Sequence, residues 1–178
     1  FDVVWLWPEE MHSLCSCWIS AEQLENQLKE ELQKRDEAPV AVYLTSPDYL
    51  GNVSNIKELS QICHKHGVLL VVDNAHGAYL RFLPESGHPM DLGADLCCDS
   101  AHKTLPVLTG GAYLHITKHA PSHLADHSKM ALALFGSTSP SYLIMQSLDK
   151  CNAYLADGYP EKLAETIEKV AAVKAFLQ

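Results

Sequence analysis

VLLVVDNAHG, residues 68–77, is the stretch that decides the fold of this chain. Residues 68–72 are five aliphatic residues in a row, which is typical of a β-strand buried on both faces of a parallel sheet. Asp73 follows directly. Ligands of open α/β sheets bind beyond the carboxyl ends of the strands, so Asp73 stands where a functional residue is expected. Turns also favour Asp for structural reasons, so this position alone is weak support for a site.

A helix, a strand and a second helix are predicted upstream of this stretch. Ser20 with Gln23, and Asn55 with Glu58, have the spacing of capping boxes, and apolar residues recur at helical intervals after each. Between the two helices, residues 40–44 form a short apolar run that we expect to be a buried strand. Helices and strands that alternate with short connections indicate an α/β domain.

Further strands and helices are predicted on both sides. Residues 94–98 and 112–116 are candidate strands, and the alternation in residues 3–7 suits another strand. Pro140 and Pro160 are each expected in the first turn of a helix, where a proline is tolerated. We therefore predict a three-layer α/β/α fold with a largely parallel sheet.

The composition excludes several classes of protein. The chain has 178 residues, 47% of them hydrophobic, and a formal net charge of −9, which suits one globular domain and argues against a nucleic-acid partner. No apolar run is long enough for a membrane helix, and residues 1–10 lack the features of a signal peptide. The cysteines match no zinc-binding spacing, and reduced thiols in a cytoplasmic protein are the simplest interpretation. They are Cys15, Cys17, Cys63, Cys97, Cys98 and Cys151.

A second motif, DSAHKTLP at residues 99–106, follows the candidate strand 94–98. A pyridine aldehyde cofactor needs an amine for a Schiff base, donors for its phosphate and a carboxylate for its ring nitrogen. Lys103 can supply the amine once a partly desolvated pocket deprotonates it. Ser100 and His102 can donate to a phosphate, and Asp73 can supply the carboxylate.

With these residues in place, the sequence resembles the pyridoxal phosphate (PLP)-dependent Orn/Lys/Arg decarboxylase family, which has the aspartate-aminotransferase fold (fold type I). Four stretches carry the resemblance, in the order and spacing of that family. The resemblance implies PLP as cofactor, and the conversion of lysine, ornithine or arginine to its amine and CO₂. The stretches are TSPDYLGNVSNI (45–56), VDNAHGAYLRF (72–82), GADLCCDSAHKTLPVLTGGAYLHI (93–116) and STSPSYLIMQSLD (137–149).

The resemblance also implies roles for residues that contact the cofactor ring. Lys103 would form the Schiff base, and Asp73 would pair with the protonated ring nitrogen. Ala75 would pack against the ring, and His76 would lie near its phenolic side.

Other residues are implied to bind the phosphate. Ser100 and His102 would reach it from the same chain. Thr138 and Ser139 are similar to residues that approach the phosphate from a neighbouring subunit in this family. The resemblance therefore implies a homodimer, or a higher homo-oligomer, with a shared active site.

The chain is expected to be an incomplete enzyme, truncated at both ends. The turn that holds the phosphate in this family precedes the segment seen here, and the family's small C-terminal domain follows it. We expect residues 1–158 to be the C-terminal portion of the PLP-binding large domain, and residues 159–178 to be a helix that leads toward the small domain. An aminotransferase, another lyase of this fold and a catalytically silent fragment remain alternatives.

A metal site is not expected from the sequence. His119, His123 and His127 would share one helix face, but the outer two would be about 12 Å apart, too far for one ion. Asp91 and Asp95 could form a carboxylate pair, although a solvated turn explains them better.

Overall fold

The computed structural model describes residues 2–8, 18–137 and 139–177. A short 3₁₀ helix, Ala78–Phe82, follows the second strand. None of the described helices is both long enough and apolar enough to cross a lipid bilayer. In chain order the helices and strands are α1 (Ala21–Lys34), β1 (Ala41–Thr45), α2 (Ile56–Lys65), β2 (Leu69–Asp73), β3 (Leu96–Asp99), α3 (Ala101–Thr104), β4 (Tyr113–Ile116), α4 (Ser122–Phe135), α5 (Tyr142–Leu155) and α6 (Tyr159–Leu177).

The four strands form one sheet in the order β1-β2-β3-β4. β1 and β3 both run parallel to β2, and β4 runs antiparallel to β3. Asp73 is paired with Cys98 in this register, so the two side chains lie on the same face of the sheet. The predicted α/β fold with a largely parallel sheet is confirmed.

Local capping interactions define the two helices that pack on the sheet. The Ser20 hydroxyl accepts a hydrogen bond from the Gln23 N–H at 3.1 Å, which begins α1. The Asn55 side chain accepts one from the Glu58 N–H at 3.4 Å, which begins α2. Gly67 has a φ of +69°, a left-handed conformation that ends α2 and turns the chain directly into β2. Both predicted N-caps are confirmed, but the boxes are incomplete, because Gln23 Oε1 has no partner among the described residues and the Glu58 carboxylate accepts from Asn55 Nδ2 rather than from the Asn55 backbone N–H.

The main hydrophobic core lies between these two helices and one face of β2. Leu70 and Val72 are fully buried, whereas Leu69 and Val71 on the opposite face are only half-buried. Burial of β2 is therefore complete on one face and partial on the other, whereas the sequence predicted burial on both. The buried residues of this cluster are Leu24, Leu28, Ile56, Leu59, Cys63, Val68, Leu70, Val72 and Ala94.

The strand β1 is more exposed than its apolar sequence predicts. Its residues alternate between exposed and half-buried, and Tyr43 is 65% exposed. β1 is the last strand of the sheet order on its side and pairs only with β2 among the described residues. The prediction of a buried strand was wrong because burial depends on neighbours that a local pattern cannot reveal.

Residues 3–7 do not form the predicted strand. Leu6 packs against the main core, while Trp5 and Trp7 are 72% and 66% exposed with ring centroids 6.4 Å apart. Alternating apolar residues here reflect one anchoring side chain between two exposed rings, so periodicity alone misled the assignment.

Asp95 corrects the interpretation that Asp91 and Asp95 form a solvated turn. Asp91 does lie in a turn and pairs with Arg81. Asp95 is only 5% exposed, and its carboxylate accepts the Leu70 N–H at 2.8 Å. It also lies 2.9 Å from His64 Nε2. Asp95 therefore joins β2, the start of β3 and α2, and it satisfies a buried backbone donor.

Candidate functional site

The candidate site lies where two neighbouring parallel strands end. Asp73 is the last residue of β2, and Asp99 is the last residue of β3. Because β2 and β3 are parallel, the segments that follow them leave the same edge of the sheet. The first segment carries Ala75 and His76, and the second carries Lys103.

The amine of Lys103 contacts the imidazole of His76. Lys103 Nζ lies 3.0 Å from His76 Nε2, although the two residues are 27 positions apart in the sequence. Lys103 is exposed and His76 is half-buried. The His76 ring also packs near Tyr49, with ring centroids 6.0 Å apart. The structure therefore brings a predicted amine and its predicted imidazole neighbour together at an open surface.

The Asp73 carboxylate is held in a defined orientation. Its Oδ1 accepts the Ala75 N–H at 3.0 Å and lies 3.7 Å from the Cys98 thiol. Its Oδ2 accepts the Tyr43 hydroxyl at 3.2 Å. Burial, together with the negative charge of Asp73, raises the pKa of both Tyr43 and Cys98, so each keeps the proton it donates.

Tyr43 and Cys98 are site residues that the sequence analysis missed. Both lie on the same face of the sheet as Asp73, because Cys98 pairs with Asp73 and Tyr43 is two residues before its other partner, Thr45. Strand alternation carries this information, but only once the pairing register is known.

Ser100 is the N-cap residue of α3, and His102 lies within α3 next to Lys103. The Ser100 hydroxyl is half-buried and makes no hydrogen bond to another described residue. His102 Nδ1 donates to the Gly111 carbonyl at 2.9 Å, which orients the ring and leaves Nε2 as the nitrogen open to a ligand. Each side chain therefore leaves one polar group without a hydrogen bond to another described residue.

Ser139, one of two residues predicted to approach the phosphate from a neighbouring subunit, makes no hydrogen bond to the described site residues of its own chain. Thr138 lies outside the described residues. Ser139 is exposed, and its N–H donates to the Ser137 hydroxyl at 3.1 Å. Within the described part of the chain, Ser139 has hydrogen bonds only to Ser137.

A buried polar network lies directly behind the site, and the sequence analysis did not predict it. Asp99 Oδ1 accepts Asn74 Nδ2 at 2.7 Å. Asp99 Oδ2 lies 3.1 Å from His88 Nε2 and 2.9 Å from His115 Nε2. Asn74, His88 and Asp99 are 0%, 4% and 4% exposed. Burial opposes ionisation of Asp99, but the hydrogen bonds from His115, His88 and Asn74 outweigh it and hold the pKa of Asp99 well below its usual range.

An open cleft of about 350 Å³ lies elsewhere on the molecule, lined by Pro106, Lys150, Cys151, Tyr154 and Tyr159. It contains none of the predicted site residues and offers one amine without a nearby carboxylate among its lining residues. The chemistry at the strand ends is therefore the better candidate for the functional site.

The site residues fit the groups of PLP. Lys103 offers an amine at the surface, and Asp73 offers a carboxylate whose orientation is fixed by three donors. The Ser100 hydroxyl, which has no partner among the described residues, is available to a phosphate. An amine, an oriented carboxylate and phosphate donors are the set that this cofactor requires.

Comparison with known protein sequences identifies relatives. The sequence model of "Orn/Lys/Arg decarboxylase, major domain" matches residues 4–178. The uncharacterized protein YaaO of Bacillus subtilis (strain 168) is 36% identical over 149 residues, which cover 83% of this chain and 31% of that protein. An arginine decarboxylase of Halalkalibacterium halodurans is 32% identical over 126 residues, 69% of this chain and 25% of that enzyme. The chain thus spans about a third or less of the length of these relatives.

Solved structures share the fold. The crystal structure of mouse CSAD has a TM-score of 0.62 at 19% identity and covers 90% of this chain and 36% of that one. Sphingomonas wittichii serine palmitoyltransferase has a TM-score of 0.61 at 17% identity, covering 79% of this chain and 34% of that one. The described sheet and helices therefore have the fold of the fold type I PLP-dependent enzymes, as predicted.

Proposed function

Because this chain belongs to the Orn/Lys/Arg decarboxylase family, we propose that it forms the cofactor-binding part of an enzyme that removes CO₂ from a basic amino acid with the help of PLP. The observation that carries the proposal is the 3.0 Å contact between Lys103 Nζ and His76 Nε2 at the ends of two parallel strands. It places the one reactive amine of the motif beside a group that can exchange a proton with it.

Lys103 is proposed to be the residue that would hold the cofactor, through its amine. The amine must be unprotonated to bond to an aldehyde carbon. His76 Nε2 is within hydrogen-bonding distance and can accept that proton. His76 is therefore proposed to exchange a proton with the Lys103 amine.

Asp73 is proposed to hold a proton on the ring nitrogen of the cofactor. Its carboxylate is held at a fixed position, because Tyr43, Ala75 and Cys98 all donate to it. When bound, PLP supplies a protonated ring that takes up the electron pair left at the substrate Cα as CO₂ departs. The contribution of the protein is orientation and charge.

The phosphate is proposed to bind at the start of α3, where Ser100 and His102 lie. The Ser100 hydroxyl can donate directly. Since His102 Nδ1 already donates to Gly111, its Nε2 donates to a phosphate only when the ring carries both protons. Thr138 and Ser139 of a second copy are proposed to complete this site in a homodimer or a higher homo-oligomer.

The substrate is proposed to be arginine, lysine or ornithine, which the family description and the arginine decarboxylase relatives support. We place the enzyme in the cytoplasm, which the free thiols of Cys63, Cys97, Cys98 and Cys151 favour.

A spectroscopic titration tests the proposal. The protein is titrated with PLP, and its visible absorbance is recorded before and after borohydride reduction. Lys103→Ala should lose the absorbance band, whereas Lys129→Ala, which removes an exposed lysine of α4, should keep it. Equal bands in both variants would contradict the assignment, and no band in folded wild-type protein would contradict cofactor binding by this chain.

The reaction type is tested separately. Release of CO₂ from carboxyl-labelled arginine, lysine or ornithine without any keto acid is the expected result. Turnover that requires 2-oxoglutarate would instead establish an aminotransferase of the same fold.

A further inference from the structure

The buried network behind the site links the two segments that carry the proposed cofactor residues. Asn74 lies between Asp73 and Ala75, and Asp99 immediately precedes Ser100. The Asn74 side chain donates to Asp99 at 2.7 Å, and the Asn74 backbone N–H donates to the Cys98 carbonyl at 2.9 Å. One residue therefore makes two hydrogen bonds from the end of β2 to the end of β3.

The Asn74 side chain can adopt only one orientation here. A carboxylate only accepts hydrogen bonds, so the atom facing Asp99 must be Nδ2. Asn74 Oδ1 is buried against Gly77 and has no donor among the described residues. Leaving this oxygen unpaired costs free energy. The Asn74 side chain therefore keeps its hydrogen bond to Asp99, while its Oδ1 stays unpaired among the described residues.

Two imidazoles hold the opposite side of the Asp99 carboxylate. The Met90 N–H donates to His88 Nδ1 at 3.3 Å, so the proton of that ring lies on Nε2 and is donated to Asp99. His115 Nε2 lies 2.9 Å from the same oxygen, and the two rings pack edge to face at 5.4 Å. Asp99 therefore cannot rotate without breaking several hydrogen bonds.

His88, Asp99 and His115 together have a donor set that a divalent transition metal would accept, since their ligand atoms lie within 4.8 Å of one another. A coordinating histidine nitrogen carries no proton, and the other ring nitrogen then donates its N–H to an acceptor. His88 has the reverse arrangement, because its Nδ1 accepts the Met90 N–H. The geometry therefore favours a hydrogen-bonded network over a metal site.

From this geometry we propose that Asn74 and Asp99 are a positioning pair, held by His88 and His115, that sets the placement of the Asp73 segment relative to the Lys103 segment. The inference rests on the proposed function for its consequence, because the two segments hold opposite ends of the cofactor ring. Neither residue contacts the cofactor in this account. They act through Asp73, His76 and Lys103, whose placement must be accurate to a fraction of an ångström.

Exchanging the two side chains is the sharpest test. Asn74→Asp alone places two carboxylates next to each other. Asp99→Asn alone places an amide N–H against the donors that faced Asp99, on Asn74, His88 and His115. In the exchanged protein, N74D with D99N, the amide at position 99 donates to the carboxylate at position 74, and its oxygen faces His88 and His115. The pair is thus restored with its polarity reversed.

The first readout needs no cofactor. The backbone N–H groups of Asn74, Gly77 and Lys103 donate to Cys98, Asn74 and Ser100 carbonyls, and their hydrogen exchange reports whether the two segments are held. Each single variant should exchange at least tenfold faster at these amides, and the exchanged protein should return to within threefold of wild type. Unchanged exchange in the single variants, or no recovery in the exchanged protein, would overturn the positioning pair.

A matched control uses another amide–carboxylate pair. Asn52 Nδ2 also donates to a carboxylate, that of Asp48, at 2.7 Å, but on an exposed loop. Asn52→Asp should leave the three amides unchanged. Faster exchange in this control would show a general effect of added negative charge and would contradict the proposal.

The second readout measures the cofactor at protein concentrations where every variant is folded. Each single variant should bind PLP at least tenfold more weakly, and the exchanged protein should recover. Wild-type affinity for PLP in the folded single variants would overturn the positioning role of Asn74 and Asp99. Failure of the wild type itself to bind PLP would overturn only the proposed function. Stoichiometric transition metal in the purified protein, lost in Asp99→Asn, would overturn the hydrogen-bond assignment.

Discussion

Replacement of Gly77 by Ala should strongly destabilise the protein through a single methyl group. A Cβ at this position would lie 2.0 Å from Asn74 Oδ1 and 2.7 Å from Pro47 Cδ. Gly77 has a φ of −118° and a ψ of 14°, which alanine can adopt, so the backbone conformation itself adds little strain. The expected effect is therefore steric.

The magnitude follows from what must move. Insertion of a methyl group into a packed site costs about 1–3 kcal/mol. Displacement of the Asn74 side chain also weakens its hydrogen bond to the Asp99 carboxylate, a charged bond that contributes about 1.5–3 kcal/mol. Gly77→Ala should lower the free energy of unfolding by about 2.5–6 kcal/mol, a large part of the roughly 5–15 kcal/mol of a typical domain.

Equilibrium unfolding in urea measures this effect. With a denaturant dependence of about 2 kcal/mol per molar, a loss of about 3 kcal/mol lowers the unfolding midpoint by about 1.5 M. Gly87→Ala is the matched control, because its Cβ would meet only Leu80 carbons at 3.7 and 3.8 Å, an ordinary contact. That variant should stay within about 1 kcal/mol of wild type. Equal midpoints for the two variants would refute the reasoning.

Four further outcomes are expected. Leu70→Ala, at a fully buried position, should lower the free energy of unfolding in urea by about 2–5 kcal/mol. Val40→Ala, at a position 74% exposed, should lower it by less than about 0.5 kcal/mol. Similar losses in the two variants would contradict the assigned core. Tyr43→Phe, which removes one donor to Asp73, should weaken PLP binding by up to about tenfold in the spectroscopic titration, and unchanged affinity would exclude a role for that hydroxyl. Because the pKa of Asp99 is lowered in the folded state, its stabilising contribution is complete above about pH 4 and is lost as the pH falls through the folded pKa. In unfolding curves measured between about pH 2 and pH 6, the stability of Asp99→Asn should depend less on acid than that of the wild type. An identical acid dependence would argue against an ionised Asp99. Iodoacetamide should label the exposed Cys98 well before the buried Cys63, whose thiol pKa is raised to about 12 by burial. PLP should protect Cys98 from this labelling. Peptide mass spectrometry that found Cys63 labelled before Cys98 would contradict the assigned burial.

The sequence was sufficient to predict the features that depend on local chemistry. Both helix N-caps and the strand that leads into Asp73 are each specified by a few neighbouring residues. Asp73 and Lys103 were equally accessible as candidate site residues, because one ends β2 and the other lies in the segment after β3. Short parallel strands then bring the two motifs to one edge of the sheet.

Features that depend on tertiary neighbours could not be predicted in the same way. The exposure of β1 follows from its place at the end of the strand order, and the alternation in residues 3–7 belongs to a segment without a strand partner among the described residues. Asp95 was assigned to a solvated turn, yet β2 and α2 enclose it.

The polar network was missed for a related reason. His88 and His115 lie 11 and 16 residues from Asp99, and no spacing rule connects them. Only the fold of the loop before β3 and the register of β4 bring the two rings to one carboxylate.

The central claim is that Lys103 holds the cofactor, and identification of the modified lysine tests it most directly. The protein is incubated with PLP, reduced with borohydride, digested and mapped by mass spectrometry. The account predicts a pyridoxyl modification on Lys103 at close to one per chain, with little on any other lysine. Modification spread over exposed lysines such as Lys57 and Lys129, with Lys103 no more modified than they are, would contradict it.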